Sequence, residues 1–184
     1  MKVFIDGENL TIEDVVAVAR DGAEVEIPRK VREKVKKCRQ FLEEVVREKR
    51  VVYGVTTGFG ALATVIIPPE NVEKLQSNLI RSHSAGVGRP LPKDVTRALM
   101  LLRANTLAKG NSGIRLTTLE TLVQMINSGV HPVIPEKGSV GASGDLAPLS
   151  HMTLVMMGEG EAEYQGKKMS GKEAMEKAGI TPVK

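Results

Sequence analysis

Three prolines, Pro28, Pro69 and Pro92, each stand at the head of a long run whose apolar residues recur every three or four positions. Proline suits the first turn of a helix, where its missing N–H has no partner to lose, and is excluded from the interior. The pattern sets where helices begin and predicts a series of separate amphipathic helices joined by glycine-rich breaks. After Pro28, Val31, Val35, Cys38, Leu42, Val45 and Val46 form one stripe on a helix of about six turns. After Pro69 the stripe is Val72, Leu75, Leu79 and Ile80. After Pro92 and Asp94 it is Val95, Leu99, Leu102, Thr106 and Leu107. The polar break Lys109-Gly110-Asn111-Ser112-Gly113 precedes a fourth run, Ile114, Leu116, Leu119, Leu122, Val123 and Ile126, which Asn127-Ser128-Gly129 closes.

Shorter elements fill the ends. Val3-Phe4-Ile5 reads as a strand ended by Asp6-Gly7. Thr11 and Asp14 have capping-box spacing, and the helix they open carries Ile12, Val15, Val16 and Ala19 on one side. Val25 and Ile27 suggest a brief extended piece. His131-Pro132-Val133-Ile134-Pro135 reads as an extended linker, because two prolines forbid helix. Glu161–Tyr164 and Lys167–Ser170 flank Gln165-Gly166 as a charged surface hairpin, and a short helix from Gly171 to Ala178 follows. The fold class is mainly α, with a few short strands and a surface hairpin.

Composition narrows the function. The 184 residues suffice for one domain with a sizeable core. The formal charge is +4, but Lys and Arg alternate with Glu and Asp along helices such as 29–50, which describes a solvated face. Three Phe, two Tyr and no Trp provide no base-stacking platform, so a nucleic-acid partner is not expected. Cys38 is the single cysteine and falls in an apolar stripe, as a buried structural thiol would. No apolar span suggests a membrane, and a reducing cytoplasm is the simplest compartment. His131 and His151 are too isolated to suggest a metal site.

The run from Gly138 to His151, GSVGASGDLAPLSH, has a different grammar. Gly138, Gly141 and Gly144 allow tight bends, and Asp145 with Pro148 can start a helix. Locally this is a glycine turn before a helix. Its amides suit an anion, yet the spacing matches neither the P-loop nor the dinucleotide fingerprint. Val51–Gly60, VVYGVTTGFG, holds three glycines in seven residues and reads as a short extended piece followed by a loop, with Tyr53 half-buried at a strand end.

Taken whole, the 138–151 run resembles the signature of the histidine/phenylalanine ammonia-lyase family. The decapeptide around Tyr53 and the segment Arg81-Ser82-His83-Ser84-Ala85-Gly86 resemble the same family. The resemblance implies that Ala142, Ser143 and Gly144 cyclise with loss of water to a methylidene-imidazolone (MIO) electrophile, with no external cofactor. The residue types suit that reaction: Gly144 has no Cβ to block ring closure, Ala142 permits the bend, and Ser143 supplies the leaving hydroxyl. It further implies that Tyr53 is the base that removes the β-proton, which calls for a lowered pKa or a charged neighbour. Ser82 and His83 would lie against the substrate side chain, and Gly60 and Asp145 would support the loops. Ser-His resembles the histidine-specific members, for which the reaction is L-histidine to trans-urocanate and ammonia. Some tyrosine aminomutases share it, so a tyrosine or phenylalanine lyase or an aminomutase remains an alternative.

The resemblance covers essentially all of residues 1–184, but only the front of the family's length. It implies the N-terminal, MIO-bearing portion of an aspartase/fumarase-like helical fold whose C-terminal bundle is absent. Family sites draw on three subunits of a homotetramer, so residues 1–184 alone are expected to be inactive and to self-associate through bare helix faces. A non-catalytic helical association module is the contrasting reading.

Overall fold

The helices begin where the prolines stand. The computed structural model describes residues 1–139 and 146–183. In chain order the elements are β1 (Lys2–Phe4), α1 (Ile12–Ala19), β2 (Glu24–Glu26), α2 (Arg29–Arg47), a 3-10 turn (Gly60–Leu62), α3 (Pro69–His83), β3 (Val87–Pro90), α4 (Lys93–Ala108) and α5 (Leu116–Ser128). They continue with β4 (His131–Pro132), β5 (Pro135–Lys137), α6 (Leu146–Met156), β6 (Glu161–Tyr164), β7 (Lys167–Ser170) and α7 (Gly171–Lys177). Two expected helix caps form. Thr11 accepts from the Asp14 amide while Asp14 accepts from the Thr11 amide. Gly129 ends α5 in the left-handed region at φ 75°.

Parallel β1 and β2 are joined through α1, because parallel neighbours need a crossover. Asn127 extends this pair from the end of α5: its amide donates to the Val25 carbonyl and its carbonyl accepts from the Val25 amide. The hairpin has the expected register, with Tyr164 opposite Lys167 and positive φ at both Gln165 and Gly166. It lies at the surface except for Ala162, which is fully buried because β6 also pairs with β4. The 131–135 segment is accordingly no free linker. His131–Pro132 pairs with β6, and Pro135–Lys137 pairs with β3.

The core centres on α4 and α5, where Met100, Leu101, Ala104, Leu119, Leu122 and Met125 are wholly buried. Each large side chain removed from water contributes about 1.5–3 kcal/mol before entropy. Two expected faces differ from those observed. On α4, Val95 and Leu102 are exposed (Leu102 to 50%), and Thr96, Arg97, Met100, Leu101, Ala104, Leu107 and Ala108 turn inward. On α1, Ile12 is 79% exposed and Ala17 and Val18 are buried instead. Both helices carry two neighbouring apolar stripes. The stripes that become buried include Ala17, Ala104 and Ala108, small residues that let the helix axes approach.

Arg97 sits in the buried stripe, 7% exposed, for a polar reason. Its Nε donates to the Val18 carbonyl at 2.9 Å and its Nη1 to the Ile126 carbonyl at 3.0 Å, so one side chain caps the C-terminal ends of α1 and α5. Cys38 is half-buried rather than enclosed, because the middle of α2 lies at the edge of the core. Among the described residues no helix is long and apolar enough to cross a membrane.

Candidate active site

Three segments carry the expected site, and each is shaped by its own sequence. In the first, Val51–Gly60, the extended piece is replaced by turns, because Thr56 and Thr57 bond back along the chain. Thr56 is buried; its Oγ1 accepts from the Val52 amide at 2.9 Å and donates to the Arg50 carbonyl at 2.6 Å. Thr57 Oγ1 accepts from the Gly54 amide and donates to the Gly58 carbonyl. The Ile67 amide donates to the Thr56 carbonyl and the Gly58 amide to the Val65 carbonyl, which ties the loop to the next strand-like piece.

Tyr53 therefore stands on a pinned turn, 61% exposed rather than half-buried. Its hydroxyl oxygen accepts from the Gly60 amide at 3.4 Å, and its ring meets Phe59 edge-on at 5.8 Å. Gly54, at φ 70°, lies against that ring: a Cβ there would sit 2.8 Å from Phe59 Cε1. Gly60 thus supports Tyr53 through its backbone, and Gly54 makes room for the aromatic pair.

The second segment is the end of α3. Ser82 is exposed and His83 half-buried. His83 Nδ1 lies 2.8 Å from the Leu79 carbonyl, which can only accept, so Nδ1 carries a proton and donates. In the neutral ring Nε2 is then the acceptor. Ser82 Oγ donates to the same carbonyl at 2.9 Å and lies 3.1 Å from His83 Nδ1. Arg81 anchors this turn to the loop after α6 through a bidentate pair with Glu159, at 2.6 and 3.0 Å.

The third segment is the glycine run. Ala142, Ser143, Gly144 and Asp145 lie outside the described residues, as does the expected Asp145 helix cap. Their flanks are described. A Cβ on Gly138 would sit 3.0 Å from both Ala147 Cβ and Gly86 Cα, so the chain enters and leaves 140–145 at one place, beside the 82–86 turn. The Gly86 amide donates to His151 Nε2 at 3.0 Å. Burial lowers the pKa of His151 and favours the neutral ring that this bond requires.

The structure brings the second and third segments together through Gly86, Gly138, Ala147 and His151. The described partners of Tyr53 are all in its own loop. Neither of two described cavities holds these residues. One, of about 310 Å³, is lined by Arg20, Lys93, Arg97, Asn127 and His131; the other, of about 480 Å³, by Lys36, Arg39, Arg115 and Glu120. Among the described residues, Tyr53 and Ser82 are exposed. Sequence reasoning gave no role to Thr56, Thr57, Arg81, His151 or Glu159; the first four lie inside the quoted motifs, and Glu159 lies outside them. Among the described residues no group of three or more His, Cys, Asp or Glu side chains is placed to hold a metal.

A family model, aromatic amino acid lyase, matches residues 10–184, and the chain belongs to that family. Within it, the chain is 60% identical over 182 residues to the histidine ammonia-lyase of Alkaliphilus oremlandii strain OhILAs, covering 99% of this chain and 36% of that protein. Its fold matches the ergothioneine-degrading enzyme ergothionase from Treponema denticola with a TM-score of 0.96 and 36% identity, over 100% of this chain and 37% of that one. It also matches the histidine ammonia-lyase from Trypanosoma cruzi with a TM-score of 0.91 and 40% identity, over 100% of this chain and 35% of that one. The chain thus spans about a third of the length of the relatives it matches. The expected mainly helical ammonia-lyase fold is the fold observed.

Proposed function

We propose that the full-length protein is a histidine ammonia-lyase that eliminates ammonia from L-histidine to give trans-urocanate. The observation that carries this most is the 60% identity to a histidine ammonia-lyase along 99% of the chain, which spans all three site segments. The close approach of Gly138 to Ala147 and Gly86, which brings the two flanks of the run together, is consistent with cyclisation of Ala142-Ser143-Gly144. The MIO group would supply an electrophile that turns the substrate amine into a good leaving group.

The chain's own residues do the rest. Tyr53 takes the β-proton as general base, from a turn held by Thr56, Thr57 and the Gly60 amide. His83 presents Nε2 as an acceptor to the N–H of the substrate imidazole, its ring fixed by the Leu79 carbonyl. Asp145 and Gly60 support the two loops. The exposure of Tyr53 and Ser82 supports a site closed by later parts of the polypeptide and by neighbouring copies in a homotetramer. Residues 1–184 form the N-terminal portion of that assembly.

The test is made on the full-length protein. Its intact mass is expected to lie two waters below the sequence value, and L-histidine to be turned over in preference to L-tyrosine and L-phenylalanine. Ser143→Ala restores both waters and abolishes turnover. An unmodified mass together with no urocanate formation overturns the proposal, and preferred turnover of tyrosine overturns the histidine assignment.

A further inference from the structure

Ser82 and His83 sit between two anchors, both borrowed from the segment that follows the glycine run. On one side Arg81 forks onto Glu159, just beyond α6. On the other, three residues past His83, the Gly86 amide donates to His151 Nε2 on α6 itself. The two anchors differ in kind. Arg81 and Glu159 are an exposed pair, screened by water and salt. The Gly86–His151 bond is half-buried, and the space around it is full. A Cβ on Gly86 would lie 3.0 Å from His151 Nε2 and 3.2 Å from Pro135 Cβ, and Gly86 Cα in turn limits Gly138. Ala147 and His151 are four residues apart on α6, so one helix face meets Gly138 and Gly86 in succession.

We propose that His151 is a positioning residue: by accepting the Gly86 amide it holds the turn that carries Ser82 and His83 in register with the base of the 140–145 run. The side chain chosen must be an acceptor, must reach across from the helix and must fit without a gap. Neutral histidine with its proton on Nδ1 meets all three conditions. Without it, the 82–86 turn keeps only its solvent-exposed anchor, and a shift at Gly86 carries directly to His83. The consequence falls on recognition of the substrate side chain, because His151 itself touches the recognition turn and not the bonds that break.

This rests on the reading of Ser82 and His83 as the substrate side-chain site. The experiment compares wild type, His151→Leu and His151→Gln as full-length protein. Leucine fills the space without an acceptor, and glutamine places a carbonyl oxygen near the Nε2 position. In His151→Leu, KM for L-histidine is expected to rise about five- to tenfold, the loss of one hydrogen bond to a part-buried amide. Its kcat stays within about twofold and the two-water mass deficit remains. Amide exchange of the 82–90 segment becomes faster. His151→Gln restores both KM and exchange protection, which a merely space-filling role would not produce.

Unchanged KM and unchanged exchange in His151→Leu overturn the proposal. So does a glutamine variant as impaired as the leucine one, or loss of the mass deficit in His151→Leu, which would move the residue's role to ring formation. If wild type itself shows neither the deficit nor histidine turnover, the functional reading fails separately. The exchange comparison then decides alone: faster exchange in Leu restored by Gln upholds the positioning bond, and no difference removes it.

Discussion

The α4–α5 centre and the 51–86 region are built on opposite principles. The first buries Met100, Leu101, Leu119, Leu122 and Met125 completely. In the second, α3 has only partly buried or exposed side chains among those described, and the loop before it buries the polar Thr56 and Thr57. One region is held by apolar contact, which is non-directional and strong in sum. The other is held by directional bonds to backbone, which place a few atoms accurately and stabilise little. The proposed site residues Tyr53, Ser82 and His83 sit on the second kind of structure, so on that proposal changes there are expected to act on chemistry and changes in the first on folding.

The sharpest way to break that contrast is Tyr53→Phe in the full-length protein. Turnover is expected to fall by roughly 10²–10⁴, the usual contribution of a positioned general base. Stability should change by no more than about 1 kcal/mol, because the substitution keeps the ring against Phe59 and removes one long hydrogen bond, from the Gly60 amide at 3.4 Å. Urea unfolding beside steady-state kinetics checks both, and a large loss of stability would contradict the division. Leu122→Ala should do the reverse. It leaves a cavity in the core and is expected to cost about 2–5 kcal/mol in the same unfolding assay, with kcat little changed in the protein that remains folded.

A smaller effect belongs to pH. His131 is buried with Arg97 Nη1 at 3.2 Å from its Nε2. Burial first, then the charges of Lys93 and Arg97, lower its pKa from 6.5 to about 4. Between those values the unfolded chain takes up a proton that the folded chain refuses. Stability from this group is therefore complete above about pH 6.5 and is lost as pH falls towards 4. Replacement by Gln should flatten the fall in unfolding midpoint across that window; an unchanged slope would assign it to other groups. The smallest effect is expected from Glu159→Gln: no measurable change in unfolding midpoint, and a modest rise in KM for histidine if the exposed anchor contributes to the recognition turn.

Much of the scaffold was legible in residue order. The starts of α2, α3 and α4 follow from Pro28, Pro69 and Pro92, the end of α5 from Gly129, and the α1 cap from Thr11 and Asp14. Each is a short-range matter of which backbone groups lack partners. The face that each helix buries was less legible. Val95 and Leu102 look more hydrophobic than Ala104 and Ala108, but packing rewards close approach as well as apolar area. The motifs single out Tyr53 and His83 as the proposed site residues, whereas Arg81 and Glu159, 78 residues apart, carry no mark of their partnership.

Sequence by itself determined the helix limits, the hairpin register and the family to which the three motifs point, because those depend on neighbouring residues and on residue types that one chemistry demands. Tertiary structure decided which stripe of α1 and α4 is core, that Arg97 and His131 are buried together, and that Gly86 meets Gly138 and His151. Those are contacts between residues far apart along the chain. They exist only once steric fit and the satisfaction of buried polar groups have selected one arrangement among many that the same periodicities allow.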